Sequence, residues 1–549
     1  MTKPVMSLAS RWAPFGVVAI IWLAVASQQI TLPGVYMDAV NPDYLVVRLL
    51  NRHAEPIVPW LLSGNDLFGT APVLISFYHG SQQVWLGLPF FALFGMTVTG
   101  LRLTHAMFAL AILVSLHMVL VRGGLKPWQA ALAGAALALD PAFSYAFRTQ
   151  SYITLAPTAW LFVALYAMQR AAASGAQTRK WLFASGIFHG LAIVGYFIYA
   201  FYLPAMALAV CLWHRQGLSG PRRPDLRPAL LWWCAGVALG GIFYPIGYGL
   251  FIVAAGSLAE ALRIFQQMQQ SLHPFEAPIP LSDRIAHIGT MVRAAFSNWF
   301  HHKLIFDEYA PQFGSQAKIF LLTALPFALW LYAEWRRRAS TLLRVLIALP
   351  ISYAAVALIF GSRLQGHHFI PLLPLAYAAL AVAMKETVAA NSLRRPANAS
   401  AALVFAGLAA LNVVGQVAEA QRLAETRGVG YFSDAINTLA ADLYAMDRKP
   451  LVYFPDWGLS MPVAFLNRGT LAMDGVPDIA AIRHTLCDGR DVAIAVITDD
   501  RTARIEAWRS ELGWNAPSVV PYAQADGKVL FELATFNGRR DAPTCMDTR

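Results

Sequence analysis

Apolar residues run along this chain in long unbroken stretches, with polar residues confined to short gaps between them. Stretches long enough to cross a hydrocarbon core of about 30 Å fall near residues 13–31, 103–121, 128–147, 152–169, 229–252, 317–335, 342–360, 367–385 and 400–418. The stretch 181–213 is too long for one helix. Its aromatic centre, Gly195-Tyr196-Phe197-Ile198-Tyr199-Ala200-Phe201-Tyr202, reads as a turn between two helices at an interface. The pattern therefore predicts about eleven transmembrane helices. The segment Val84–Met96 is apolar but reaches only ~20 Å as a helix, and His79, Gln82 and Gln83 oppose extending it. It is expected to lie at the interface without crossing.

The pattern changes after Gln416, where charges rise. Strand-like runs appear at Leu451–Phe454, Val492–Thr498, Ser518–Tyr522 and Lys528–Phe536, with helical patterns near 433–446, 476–487 and 501–512. This alternation predicts a small α/β domain over 421–549, following a membrane domain over 1–420. It carries no Gly-rich phosphate loop and no cysteine cluster of metal spacing, so no chemistry is assigned to it. Docking or acceptor binding and a structural cap are both open to it.

Composition fits the pattern. Of the 549 residues 57% are hydrophobic and 13% charged, and mean hydropathy is +0.49, whereas soluble domains carry about a quarter charged residues. The net charge of +11 reads as topology rather than nucleic-acid binding. With 84–96 left out as a crossing, sixteen basic residues fall in one set of short loops. They are Arg122 and Lys126; Arg170, Arg179 and Lys180; Arg215, Arg222, Arg223 and Arg227; Arg336, Arg337, Arg338 and Arg344; and Lys385, Arg394 and Arg395. The opposite short loops hold Arg148 and Arg363. Positive residues favour the cytoplasmic side, so the expected arrangement is a multi-pass inner-membrane protein with a cytoplasmic N-terminus. Two long loops, about 32–102 and about 254–316, and the C-terminal domain then face the periplasm. Lys3, Arg11 and the apolar run Ala13–Ala26 read as an uncleaved signal anchor, although Ala24-Val25-Ala26 resembles a cleavage site. Cys211 and Cys234 lie in apolar stretches; Cys487 and Cys545 either pair outside the cytoplasm or stay as free thiols.

That topology gathers uncommon polar residues on one face: Asp38 and Asp43 after the first span, His79 before the interfacial helix, Arg148 at the end of the third crossing, and Arg363, His367 and His368 between later spans. Each has an ordinary reading, as a boundary acid, a snorkelling anchor, an interfacial hydrogen-bonder, a helix cap or, for Asp43, a partner of Arg48. Together they suit transfer from a lipid-linked phosphosugar. A carboxylate takes the proton of an attacking hydroxyl or amine. Arginine and protonated histidine offset charge on the departing phosphate. Tyr152, Tyr196, Tyr199 and Tyr202 are candidates to stack on sugar or line a groove for a polyprenyl tail; filling the interface is the plainer reading for these tyrosines.

The stretch Phe94–Tyr166 resembles the GT-C membrane glycosyltransferases of the family 39 type, which include protein O-mannosyltransferases and the aminoarabinose transferase of lipid A. The resemblance rests on Leu93-Phe94-Gly95, Leu101-Arg102-Leu103 opening a span that Arg122 closes, Asp140-Pro141-Ala142-Phe143 leading to Arg148, and a span ending in Leu165-Tyr166. Later, His367-His368-Phe369-Ile370-Pro371-Leu372-Leu373-Pro374 is similar to the family's Leu-Pro-x-x-Pro span start. It extends loosely over about 10–420. The resemblance implies a helical bundle whose large first outer loop carries interfacial helices, and a catalytic Asp at the position of Asp38. It also implies a sugar taken from a polyprenyl phosphate and passed by inversion to an envelope lipid, glycan or protein. Where the family has Asp-Glu, this chain has Asp38-Ala39, which leaves Asp43 as partner or base; where it has His/Lys-Pro-Pro, this chain has His79-Gly80-Ser81. No cofactor is expected. Asp307 and Glu308 are either divalent-metal ligands or solvated loop acids. A lipid or solute transporter, or an inactive scaffold, is the competing class. A transporter more often carries mid-membrane charges and inverted repeats, and no repeat is evident here.

Overall fold

The computed structural model describes the chain except residues 1–7, 56–65, 68–70, 150–154, 175–176, 217–224, 273–278, 310–312, 391–393, 457, 476–477, 498–499, 541, 543–544 and 546–549. All eleven expected spans coincide with helices. Eight are long and apolar enough to cross a membrane by themselves, and a bent pair makes a ninth. The first is α1 (Leu8–Ser27). A short helix, α2 (Gln82–Phe94), precedes the long α3 (Val98–Arg122). The bent pair is α4 (Pro127–Ala138) and α5 (Pro141–Thr149), which meet at 58°. The break is set by the sequence: Pro141 cannot donate into a continuing helix. Asp140 instead accepts the backbone N–H of Ala142 at 2.9 Å. The other two expected spans are α6 (Ala156–Ala172), with 17 residues, and α7 (Thr178–Gly195), with 18. The break between α7 and α8 (Leu203–Gln216) is a 3-10 segment over Phe197–Tyr202, as its aromatic run suggested. At 13 residues α2 matches the short interfacial helix expected from the sequence.

Close backbone packing marks one helix pair. Gly186 and Gly190 of α7 face Gly236 and Gly240 of α9 (Arg227–Gly240). A Cβ at any of the four would overlap the opposite backbone. Two small-xxx-small patterns in register let membrane helices touch main chain to main chain, where lipid offers no hydrophobic drive to association.

The C-terminal region folds as an α/β unit with a five-stranded sheet. Its strands are β1 (Leu451–Tyr453), β2 (Met473–Asp474), β3 (Val492–Val496), β4 (Ser518–Ala523) and β5 (Val529–Phe536), in the order β2-β1-β3-β5-β4. β1 runs parallel to β2 and to β3, and β5 runs antiparallel to β3 and to β4. All five residues of β3 are buried, as a central strand covered on both faces requires. Cys487 and Cys545 form a disulfide, so of the two alternatives left open the pair is the one observed.

This domain is fastened to the first loop. Gly34 N–H donates to the Phe432 carbonyl at 2.8 Å, and Glu55 N–H to the Gly469 carbonyl at 2.8 Å. Val35, Ala39 and Val40 share one apolar cluster with Phe432, Met461 and Phe465 of the domain and with Val84, Phe91 and Leu101 of the bundle. The Tyr36 ring packs tilted against that of Tyr431, with centroids 5.0 Å apart, and lies against Gly458, whose φ of +108° and contact with the ring leave no room for a Cβ.

Candidate functional site

The loop after α1 carries both candidate acids and gives them opposite environments. Asp43 is fully buried. Its Oδ2 lies 2.6 Å from His105 Nε2 of α3 and accepts from Gln83 Nε2 of α2 at 3.0 Å. These buried contacts tie three segments together, and the carboxylate is not presented to solvent. The expectation that Asp43 serves as base, or pairs with Arg48, gives way to this bonded arrangement. Asp38, on the short helical turn Met37–Val40, is partly exposed. It stands within electrostatic range of Tyr78 and Tyr196. Burial first, and then the Asp38 charge, raise the Tyr78 phenol above its usual range.

Around Asp38 the fold assembles groups from distant parts of the sequence. His79 sits in a two-stranded turn (Leu74–Ser76 with His79–Gly80), stacked on the Tyr196 ring at 5.9 Å and 16°. The Tyr196 hydroxyl meets His368 Nε2 at 3.2 Å, and the His368 ring lies 4.0 Å from that of His367. The structure therefore brings His79, Tyr196, His367 and His368 into contact, with Asp38 in electrostatic range of Tyr196. Arg363 stands next to them in sequence on the turn Gly361–Arg363, exposed, and no hydrogen bond or ion pair among the described residues engages it.

His368 Nδ1 lies 3.0 Å from the Gln365 N–H and 3.3 Å from the Gln365 carbonyl, while its Nε2 faces the Tyr196 hydroxyl. His79 is held down to about 3 by burial.

Arg148 is placed differently from its expected role as a phosphate ligand. Its guanidinium is buried and donates to the carbonyls of Gln28 (2.5 Å), Leu32 (3.1 Å), Gln29 (3.4 Å) and Val25 (3.4 Å). These carbonyls lie at the end of α1, where the last turn of a helix leaves acceptors unmet. Arg102 of α3 donates to the Arg148 carbonyl and, at 3.3 Å, to that of Pro33. The two arginines clamp the segment that leads to Asp38. Tyr199 and Tyr202 are likewise not presented to a substrate. Both are fully buried, Tyr199 bonded to Thr158 Oγ1 at 2.6 Å and Tyr202 packed 5.1 Å from the Tyr353 ring. A run of aromatics at a helix break fills the bundle here. Tyr152 lies outside the described residues.

Further polar groups line this region that the sequence reading did not single out. His301 Nδ1 bonds Thr149 Oγ1 at 3.0 Å. Glu419 accepts from Asn298 at 3.1 Å and lies 3.0 Å from His302 Nδ1. His105, Arg102 and Glu419 stand inside long apolar helices, where an ionisable residue is costly and marks a site or a partner; that cost was their available signal. Asp307 pairs with Lys303 at 2.5 Å and Glu308 with Arg422. Among the described residues no group of three or more His, Cys, Asp or Glu stands close enough to hold a metal ion.

His301, in the helix Trp299–Phe306, is fully buried and held down to about 3 by that burial. A loosened site would take up this proton near pH 6.5, whereas the folded one does not until about pH 3. Stability is thus complete above 6.5 and falls as pH drops toward 3, by up to about 1.4 kcal/mol per unit. Thermal melting across this range is expected to show the decline, and His301→Gln should make it shallower, His79 contributing a slope of its own. An unchanged slope in that variant would rule out His301 as the source.

A family model described as dolichyl-phosphate-mannose-protein mannosyltransferase matches residues 83–237. No curated protein matches the sequence. Among solved structures, ArnT from Cupriavidus metallidurans bound to undecaprenyl phosphate is similar at 13% identity and a TM-score of 0.56, over 97% of this chain and 100% of that one. The apo oligosaccharyltransferase of Archaeoglobus fulgidus aligns at 12% identity and a TM-score of 0.46, over 98% of this chain and 76% of that one. The mycobacterial arabinofuranosyltransferase AftD aligns at 15% identity and 0.43, over 97% of this chain and 40% of that one. The family match and the fold shared with ArnT bear out the resemblance read from the residues: this chain is a membrane protein of the GT-C fold, similar to the glycosyltransferases of the family 39 type.

Proposed function

We propose that this protein transfers a sugar from a polyprenyl-phosphate donor to an envelope acceptor (lipid, glycan or protein), with inversion at the anomeric carbon. The observation that carries the reading is the contrast between two carboxylates on one loop. Asp43 is fully buried and held by His105 and Gln83, while Asp38 is partly exposed and in electrostatic range of Tyr196, the ring against which His79 and His368 stand. Asp38 takes the proton of the acceptor hydroxyl or amine as that atom bonds to the anomeric carbon. The bond from this carbon to the phosphate oxygen breaks, and the polyprenyl phosphate leaves with the electron pair. That ArnT was solved with undecaprenyl phosphate supports a donor of this class.

Arg363 is the cation we assign to the departing phosphate, since its guanidinium is exposed and unengaged among the described residues. Arg363→Gln is expected to raise the donor KM about tenfold, as loss of a charge-assisted hydrogen bond of about 1.5 kcal/mol would. Donor titration at saturating acceptor reads this, and an unchanged KM removes Arg363 from the phosphate.

The site is proposed to face the periplasm, with the N-terminus in the cytoplasm. The Cys487–Cys545 disulfide supports this, because such bonds persist in oxidising compartments. Mass analysis of envelope glycans in cells with the protein, without it, and with the Asp38→Asn form tests the proposal. A sugar lost in the second and third cases alone among them supports it; identical profiles in all three overturn it.

A further inference from the structure

At the end of the bundle away from Asp38, the start of α1, the end of α3, the start of α4 and the end of α6 surround a cavity of about 520 Å³, within the range of small-ligand pockets. Arg102 and Arg122 mark the two ends of α3, about 30 Å apart at 1.5 Å per residue, so the cavity is remote from the site above. Four cations line it: Arg11, Arg122, Lys126 and Arg170. Trp12 and Tyr166 add aromatic wall.

Two features separate this cavity from an ordinary basic membrane border. No acidic residue is among the described residues lining it, and none of the four cations forms an ion pair among the described residues. Nearby, Arg344 is neutralised by Glu334 at 2.6 and 2.9 Å. The cavity is also shaped rather than flat. Arg170 is held over the Trp181 ring at 4.9 Å, and His117 Nε2 meets the Arg11 carbonyl at 3.3 Å, fixing the start of α1 against α3.

We infer that this cavity binds the phosphodiester headgroup of an acidic phospholipid. Basic pockets between membrane helices suit such headgroups. Here the apolar and aromatic wall fits the glycerol and upper acyl region, and the uncompensated cations fit the phosphate. The inference rests on the chain being a membrane protein and is independent of sugar transfer.

The full-length protein in neutral detergent, titrated with phosphatidylglycerol or phosphatidylcholine and read by native mass spectrometry, tests it. Wild type is expected to retain phosphatidylglycerol preferentially. Arg122→Gln with Lys126→Gln, both exposed and outside any ion pair among the described residues, should bind it about thirtyfold more weakly, at about 1 kcal/mol per charge, with an unchanged melting temperature. Arg336→Gln with Arg337→Gln, on the neighbouring basic loop, should bind as wild type does. Equal retention of the two lipids by wild type, or the same loss in both double variants, overturns the inference. Retention that survives millimolar inorganic phosphate supports a lipid as occupant; displacement by phosphate alone overturns that in favour of a free anion.

Discussion

Asp38→Asn is expected to lower sugar transfer by a factor of about 10² to 10⁴, the usual contribution of a positioned general base, without loosening the fold. The amide keeps the size of the carboxylate but cannot accept the acceptor's proton. Asp38 is partly exposed, so the melting temperature should stay within the effect of a surface change, about 0.5 kcal/mol. Asp43→Asn supplies the contrast. It disturbs the buried contacts with His105 and Gln83, and a buried polar group left unsatisfied costs about 1–3 kcal/mol, so its main effect is on stability. Transfer assays and melting on both variants separate the roles. Transfer retained by Asp38→Asn and by Asp43→Asn alike would leave the proposed chemistry without its base. Normal donor binding with transfer lost in Asp38→Asn would distinguish an enzyme from a transporter or an inactive scaffold.

Much of this was legible in the sequence because membrane helices are specified by a coarse property. Unbroken apolar length placed all eleven expected stretches on helices, of which eight, and a bent pair as a ninth, are candidate spans among the described residues, and α2 at 13 residues is shorter than these. The α/β alternation after Gln416 anticipated four of the five sheet strands, but not Met473–Asp474, whose two residues are too few to show a period. Proximity in the site was legible too: His79, Tyr196, His367 and His368 do gather, with Asp38 in electrostatic range of Tyr196. What the sequence could not show is which side chains are used up by the fold. Arg148 and Arg363 look alike as single arginines at span ends, yet one spends its donors on four carbonyls and the other is exposed and unengaged among the described residues. Tyr196, just before the 3-10 turn, is buried like Tyr199 and Tyr202, but its hydroxyl meets His368 whereas that of Tyr199 meets Thr158. Asp43 differs from Asp38 through His105, 62 residues away.

The C-terminal domain gains a role from this geometry that its composition did not suggest. Its residues Phe432, Met461 and Phe465 pack against Val35, Ala39 and Val40, on both sides of Asp38, and Tyr36 is held between Tyr431 and Gly458. The loop is thus gripped from above by the domain and from below by arginines of the bundle. A base that must meet its acceptor within hydrogen-bond reach gains from such a grip, since a displacement of about 1 Å can cost about 10² in rate.

Arg148→Ala should therefore behave as the loss of a positioning residue rather than of a phosphate ligand. Removing the guanidinium takes away the donor of the Gln28 and Leu32 carbonyls, those of Val25 and Gln29 keeping the backbone N–H groups of Gln28 and Leu32, and each buried acceptor left unmet costs about 1–3 kcal/mol. Partial relaxation toward water brings the expected loss to about 3–5 kcal/mol, read as a lowered melting temperature. The segment to Asp38 then loses its lower clamp, and kcat is expected to fall about a hundredfold. The donor KM should change little, because the donors removed point at main chain and not at the donor site. Arg148→Lys should recover part of the stability, since an ammonium can meet some of the same carbonyls but lacks the planar fork that spans all four. The split between kcat and KM decides the matter: a raised donor KM with kcat intact would return Arg148 to the phosphate and leave the exit of α1 to be held by Arg102 alone.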